Sequence, residues 1–233
     1  MSNDATKPKA KPDPGANRSR TPTSPQFLDY MGSGWADNAT VATQKSPAAD
    51  YTPDRRARVA AAFAGEVILI EAGPAATRSN DTEYRYRQDS DFHYLTGFTE
   101  PESVICLIPG RAQGEFVMFC RERDREMEIW NGYRAGLAGA VADYAADAAY
   151  AIAEFEASLV KKLQQKQTLY YRIGHDAQFD ALIHRCMQQA DSGQRRGDNA
   201  PASIQQLDRI VDEQRLIKSD NELAHMQRAA DIS

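Results

Sequence analysis

Asp89 and Asp91 stand two residues apart in Arg87-Gln88-Asp89-Ser90-Asp91. On an extended strand their carboxylates would share a face, where they could act as an acid pair or hold a cation. Strand-end and turn contacts with Arg85 or Arg87 are the simpler expectation. The four histidines make a poor site: His175 and His184 fall on opposite sides of one expected helix, and His93 and His225 are isolated. Cys106 and Cys120 lie in apolar runs, where a thiol is inert. Arg195-Arg196 reads as solvated loop charge. No Gly-x-Ser-x-Gly, Gly-x-Gly-x-x-Gly or phosphate-loop pattern occurs. Trp130 follows Glu128-Ile129 and precedes Asn131-Gly132, a place where an aromatic ring could close the core at a strand end. Arg134, in the Gly-x-Arg-x-Gly that follows, is expected to salt-bridge locally. These residue types yield no catalytic residue and no metal ligand.

The elements that must position them read as an α/β chain, a mixed β-sheet flanked by helices. Glu66-Val67-Ile68-Leu69-Ile70-Glu71 is an apolar run of strand length flanked by charge, as expected of a strand covered on both faces. Ser103 to Ile108 and Glu115 to Cys120 form a hairpin about Pro109-Gly110. Alternating Phe92, Tyr94, Thr96 and Phe98 predict a further strand. Helices are expected over Arg55 to Phe63 and Ala177 to Ala190, with a strand over Thr168 to Ile173 between them. Between Val141 and Leu163 the apolar spacing fits one long helix. Ser219-Asp220-Asn221-Glu222 is a capping box opening a last helix with an apolar stripe of Leu223, Met226 and Ala230. That helix reaches Ser233 with no Gly, Asn or Pro stop, so its stripe is expected to face chain beyond residue 233.

Composition narrows the classes. A chain of 233 residues, 42% apolar, can bury one substantial core. A net charge of -5 with no basic stripe argues against phosphate-backbone binding, so nucleic acid is not an expected partner. There is no apolar run of about 20 residues and no signal-peptide core, which makes the cytoplasm the expected location and a membrane no expected partner. Three cysteines without Cys-x-x-Cys spacing fit reduced, buried thiols. Residues 1–53 are rich in Pro, Ser, Thr and Ala and are expected to be mostly disordered, with a small helix around Phe27 to Met31 and Trp35.

Two ordered blocks go further. Arg78-Ser79, Tyr84, Tyr86-Arg87-Gln88, Ser90-Asp91-Phe92, Tyr94 to Phe98 and Glu100-Pro101 are followed by Phe119, Arg121, Arg123-Asp124, Glu128-Ile129-Trp130, Gly132, Arg134 and Gly136. Together they resemble the N-terminal domain of aminopeptidase P, from about Arg55 to Ser233. The resemblance implies the ribonuclease H-like, creatinase-type α/β fold over residues 54–200. It also implies a linker and first helix at 201–233, leading into a catalytic domain that the sequence does not contain. It places a chain break near Asp147, against the single-helix spacing, and a helix only from about Ala153.

Members of that family release an N-terminal residue preceding proline. Two manganese ions, held by Asp, His and Glu ligands of the catalytic domain, do the chemistry, and none of those ligand motifs occurs here. The resemblance makes Trp130 a substrate-binding residue that reaches toward a neighbouring subunit's active site. The implied partners are the chain's own catalytic domain, neighbouring subunits of a homo-oligomer and Xaa-Pro peptides. A stand-alone interaction module of this fold, or the corresponding domain of a prolidase or creatinase relative, are the alternatives.

Overall fold

Val67 to Ile70 form the centre of the sheet because their side chains are apolar on both sides and must be covered twice. The structure is a computed structural model and describes residues 24–34, 43–63, 65–112, 114–192 and 199–233. Two units divide the chain, 1–41 and 42–233. In the first, α1 (Pro25–Gly32) is capped by the Ser24 hydroxyl, which accepts from the Phe27 N–H, and it exposes Phe27, Leu28, Tyr30 and Met31. Trp35 and the Arg195-Arg196 pair lie outside the described residues.

In the second unit the order is α2 (Thr52–Ala62), β1 (Val67–Glu71), β2 (Thr77–Ser79), β3 (Thr82–Glu83), α3 (Ser90–Thr96), β4 (Val104–Leu107), β5 (Phe116–Cys120), α4 (Arg125–Asn131) and α5 (Gly136–Ala142). Then follow β6 (Ala148–Ala151), α6 (Phe155–Leu163), β7 (Thr168–Tyr171), α7 (Ala177–Asp191), β8 (Ser203–Gln206), α8 (Asp208–Leu216) and α9 (Asp220–Ile232). Six strands make one sheet in the order β6-β5-β4-β1-β7-β8. Strand β4 is antiparallel to both its neighbours, while β5 pairs with β6, β1 with β7 and β7 with β8 in parallel. The expected hairpin is present, with Ile105 opposite Met118 and Cys106 opposite Val117. Alternate side chains sort into two cores. Ile68, Ile70, Ile105 and Met118 pack with α2, α3 and α5 on one face, and Val67, Leu69, Cys106 and Phe119 pack with α6 and α7 on the other. The mixed sheet covered by helices is the fold class expected of the sequence.

Three expectations need correction and one holds. Phe92 to Phe98 is not a strand. The Asp89 carboxylate accepts from the Asp91 and Phe92 N–H groups at 2.9 and 3.0 Å and starts α3, and Gly97, at φ +66°, ends it. Arg55 and Arg56 donate to the Tyr94 and Leu95 carbonyls that a helix end leaves without partners. Asp91, Phe92, Tyr94, Leu95 and Thr96 are all buried, so α3 carries no one-sided stripe and its aromatic alternation mimics a strand. Second, the break near Asp147 holds, and it contains β6, whose Ala-rich sequence gives no strand signal. Third, His175 precedes α7, whose cap is Asp176, so it does not share a helix with His184. Fourth, the order extends before residue 54. Ser46 caps a turn of 3-10 helix at Pro47–Tyr51, and Ala49 is buried against α3.

That last contact is tight. A Cβ on Gly97 would lie 2.6 Å from the Ala49 nitrogen, on a backbone already at positive φ. Gly97→Ala is expected to lower unfolding free energy by about 2–3 kcal/mol in chemical denaturation. No described helix is long and apolar enough to cross a membrane.

Candidate functional site

The segment after β5 is built to hold a short helix away from the core. Asp124 starts α4 by accepting from the Glu126 and Met127 N–H groups at 2.9 and 3.1 Å. The Glu128 carboxylate then closes the loop on itself. It takes Arg123 Nε at 2.9 Å and Nη2 at 3.1 Å in a two-pronged pair, and its Oε1 also takes the Arg134 N–H at 3.1 Å. Arg123 holds the Glu128 carboxyl below the usual carboxylate range. Gly132 turns the chain at φ +80°. Gly136, at φ +63°, lets the backbone pass so close to Arg123 that a Cβ would sit 2.5 Å from its Cγ. Glu100 Oε1 accepts from the Ala135 N–H at 2.7 Å and anchors the far end.

With those residues spent on the frame, α4 presents Ile129 at 75% exposure and Trp130 at 70%, flanked by exposed Met127 and Tyr133. Trp130 therefore does not close the core, and it lies on a helix rather than at a strand end. Arg134 departs from its expectation too. It is buried, its Nε lacks a hydrogen bond, and among the described residues no carboxylate lies within ion-pair distance of it. The Nε of Arg121 and Oε2 of Glu100 are likewise buried without a hydrogen bond, so three polar side chains crowd beneath the loop. Burial pushes the Glu100 carboxyl up, although the Ala135 N–H, Arg121 and Arg134 favour its charge.

Asp89 and Asp91 do not form an acid pair, and their partners are not Arg85 or Arg87. Asp89 Oδ2 accepts from Arg172 Nη1, and Asp91 Oδ1 accepts from Arg215 Nη1, each at 2.5 Å. Arg172 Nε also donates to Asp208 at 2.9 Å, and His175 Nε2 stands 3.7 Å from Asp89. The network lies at the carboxyl ends of β1 and β7. Glu71, at the end of β1, is pushed up to about 8 by burial and by Asp176, Asp89 and Asp180, with Arg172 opposing. Sequence reading gave no sign of Glu71 because its like-charged neighbours come from distant positions. Among the described residues no group of three or more His, Cys, Asp or Glu is placed to hold a metal ion.

Above this network a cleft of about 820 Å³ opens between α3, the Pro47 turn and the α8–α9 segment. Both His93 and His225, isolated in sequence, line it with Arg55, Arg87, Arg215 and Lys218. Burial, then Arg55 and Arg87, lower the His93 pKa. The capping box is present: Ser219 and Glu222 close it, and Arg55 Nη2 reaches Glu222 at 3.3 Å. The stripe of α9 stays uncovered, with Leu223, Met226 and Ile232 at least half exposed. All three thiols are buried and unpaired with each other, and burial pushes Cys106 and Cys120 up to about 12, as expected of inert cysteines.

A six-stranded mixed sheet with this loop after β5 defines a class, and the comparisons agree. Residues 52–170 match the family described as aminopeptidase P, N-terminal domain. The chain belongs to that family. It is 38% identical over 185 residues to the Xaa-Pro aminopeptidase of Escherichia coli (strain K12), covering 79% of this chain and 42% of that protein. Against human Xaa-Pro aminopeptidase 3 it is 32% identical over 176 residues, covering 72% and 33%. The solved structure of Pseudomonas aeruginosa aminopeptidase PepP superposes with a TM-score of 0.76 at 40% identity, over 82% of this chain and 43% of that one. The chain thus spans less than half the length of these relatives.

Two outcomes follow from the geometry. Glu128→Gln keeps the shape but loses the charge that holds Arg123. In a Trp35→Phe background, it is expected to change Trp130 emission and quenching at neutral pH. The parent loop should show the same change only as pH falls below the ordinary carboxylate range, because a lowered folded pKa makes the bracket fail on acidification. Glu71 has the opposite sign. Its raised pKa means that stability declines as pH rises from about 4.5 to about 8. Glu71→Gln should therefore stabilise by about 2 kcal/mol at the alkaline end and little at the acidic end, after allowance for partial solvent screening. Denaturation midpoints across that range check it.

Proposed function

We propose that this chain is the amino-terminal, non-catalytic domain of an Xaa-Pro aminopeptidase, and that it contributes subunit contacts and part of the substrate pocket. One observation carries the reading: Asp124, Glu128, Arg123, Gly132 and Gly136 are all engaged in framing the loop, and the frame presents Ile129 and Trp130 outward. A flat apolar ring held rigidly at a surface can enclose a short peptide contributed by another surface. The parent enzyme acts in the cytoplasm as a homo-oligomer and removes the residue before proline. Its two manganese ions belong to a part of the enzyme outside these residues, a reading supported by the lack, among the described residues, of any group of three or more His, Cys, Asp or Glu placed to hold a metal ion. The uncovered stripe of α9 packs against that catalytic part.

The test uses the complete enzyme. Trp130→Ala is expected to lower kcat/KM for an Xaa-Pro peptide by about 10- to 100-fold, the scale of one lost apolar enclosure, with metal content unchanged. Unaltered kinetics would remove Trp130 from the pocket. Separately, the 233-residue chain alone should release no residue from the same peptide; hydrolysis by it would overturn the division between the two parts.

A further inference from the structure

At the end of the sheet opposite Trp130, the amino ends of β1 and β7 and the turn after β4 surround a cavity of about 750 Å³. Arg111, Lys161, Lys162 and Lys166 line it, and no acidic residue does. This concentration of like charge occurs in a chain whose net charge is -5. The cations come from three places: the hairpin turn, the last turn of α6 and the connection to β7.

Three of the four side chains are held. Lys162 Nζ donates to the Ser158 hydroxyl at 3.0 Å and lies 5.9 and 5.7 Å from the ring centres of Phe119 and Tyr150. Lys166 Nζ donates to the Gly65 carbonyl at 2.7 Å, and Arg111 Nη1 to the Gly114 carbonyl at 3.0 Å. Among the described residues, Lys161, Lys162 and Lys166 have no carboxylate within ion-pair distance. The nearby Glu115 carboxylate accepts from the Gly110 N–H at 2.8 Å, and Glu66 from the Thr168 N–H at 2.7 Å.

Placement at a helix end explains part of this. Lys161 and Lys162 answer the partial negative charge at the carboxyl end of α6. Arg111 and Lys166 come from outside the helix and exceed that need. Burial, then Arg111 and Lys161, lower the Lys162 pKa, so the cations crowd one another. A bound anion would relieve that crowding.

We infer that the cavity bounded by Arg111, Lys161, Lys162 and Lys166 binds a small, multiply charged phosphate compound. Lysine ammonium groups suit phosphate as point charges, and the arginine adds a planar donor fork. A concave wall with charge of one sign concentrates such an anion.

The experiment titrates the full chain with inorganic pyrophosphate at low salt by calorimetry, with sodium chloride of equal ionic strength as the control. Saturable binding at one site is expected, with tripolyphosphate and ATP competing for it. Lys161→Gln and Lys166→Gln, both checked for fold by circular dichroism, should each weaken binding about tenfold, the scale of one charge-assisted contact. They should also flatten the salt dependence. Three results would overturn the inference: no saturable binding, an equal titration signal from sodium chloride, or affinity unchanged in both variants.

Discussion

Arg172 is the interaction on which the arrangement around the site depends. It leaves the carboxyl end of β7 and meets Asp89, the cap of α3, and Asp208, the first residue of α8, while Asp91 beside it is held by Arg215. One guanidinium therefore ties the sheet to a helix from early in the chain and to a helix from its end. Burial pushes the Asp91 carboxyl up, so the acids tolerate one another only because the arginines lie between them. A cap, a strand end and α8 are thereby fixed relative to each other before any apolar contact is counted.

The two loops at this end of the sheet use the same device at different scales. In α3 an aspartate holds two backbone N–H groups with one oxygen and an arginine with the other. In the α4 loop a glutamate holds an arginine and a backbone N–H together. Carboxylates thus serve as joints in both. What remains outward is apolar: Ile129 and Trp130 on one loop, Leu223 and Met226 on α9.

Much of the frame was legible from residue order. The strands β1, β4, β5 and β7 are apolar runs between turn residues, and the α9 capping box names its own first turn. Helix α3 was misread because it is buried all round, so its period is invisible, and because Asp89 reads equally as a turn residue and a cap. Strand β6 was hidden by alanine, which fits a helix by propensity and here takes the edge of a sheet by pairing with β5. The loop motif was legible as a family pattern but not as geometry. That Trp130 is displayed rather than buried follows from Glu128 gripping both Arg123 and Arg134, a closure spanning positions 123 to 134 that no local periodicity encodes. Glu71 and Arg172 were missed for the same reason, since their neighbours converge only in the folded chain.

The strand order also sets a sequence of events during synthesis. Strands β1, β4 and β5 form an up-down meander that is complete once Cys120 has left the ribosome, yet the parallel partner of β1 is β7, about fifty residues further on. Until Tyr171 emerges, one edge of β1 stands open to any other nascent chain with a matching edge. Slow translation between residues 120 and 171 would lengthen that vulnerable interval, and chaperone occupancy on this nascent chain belongs there.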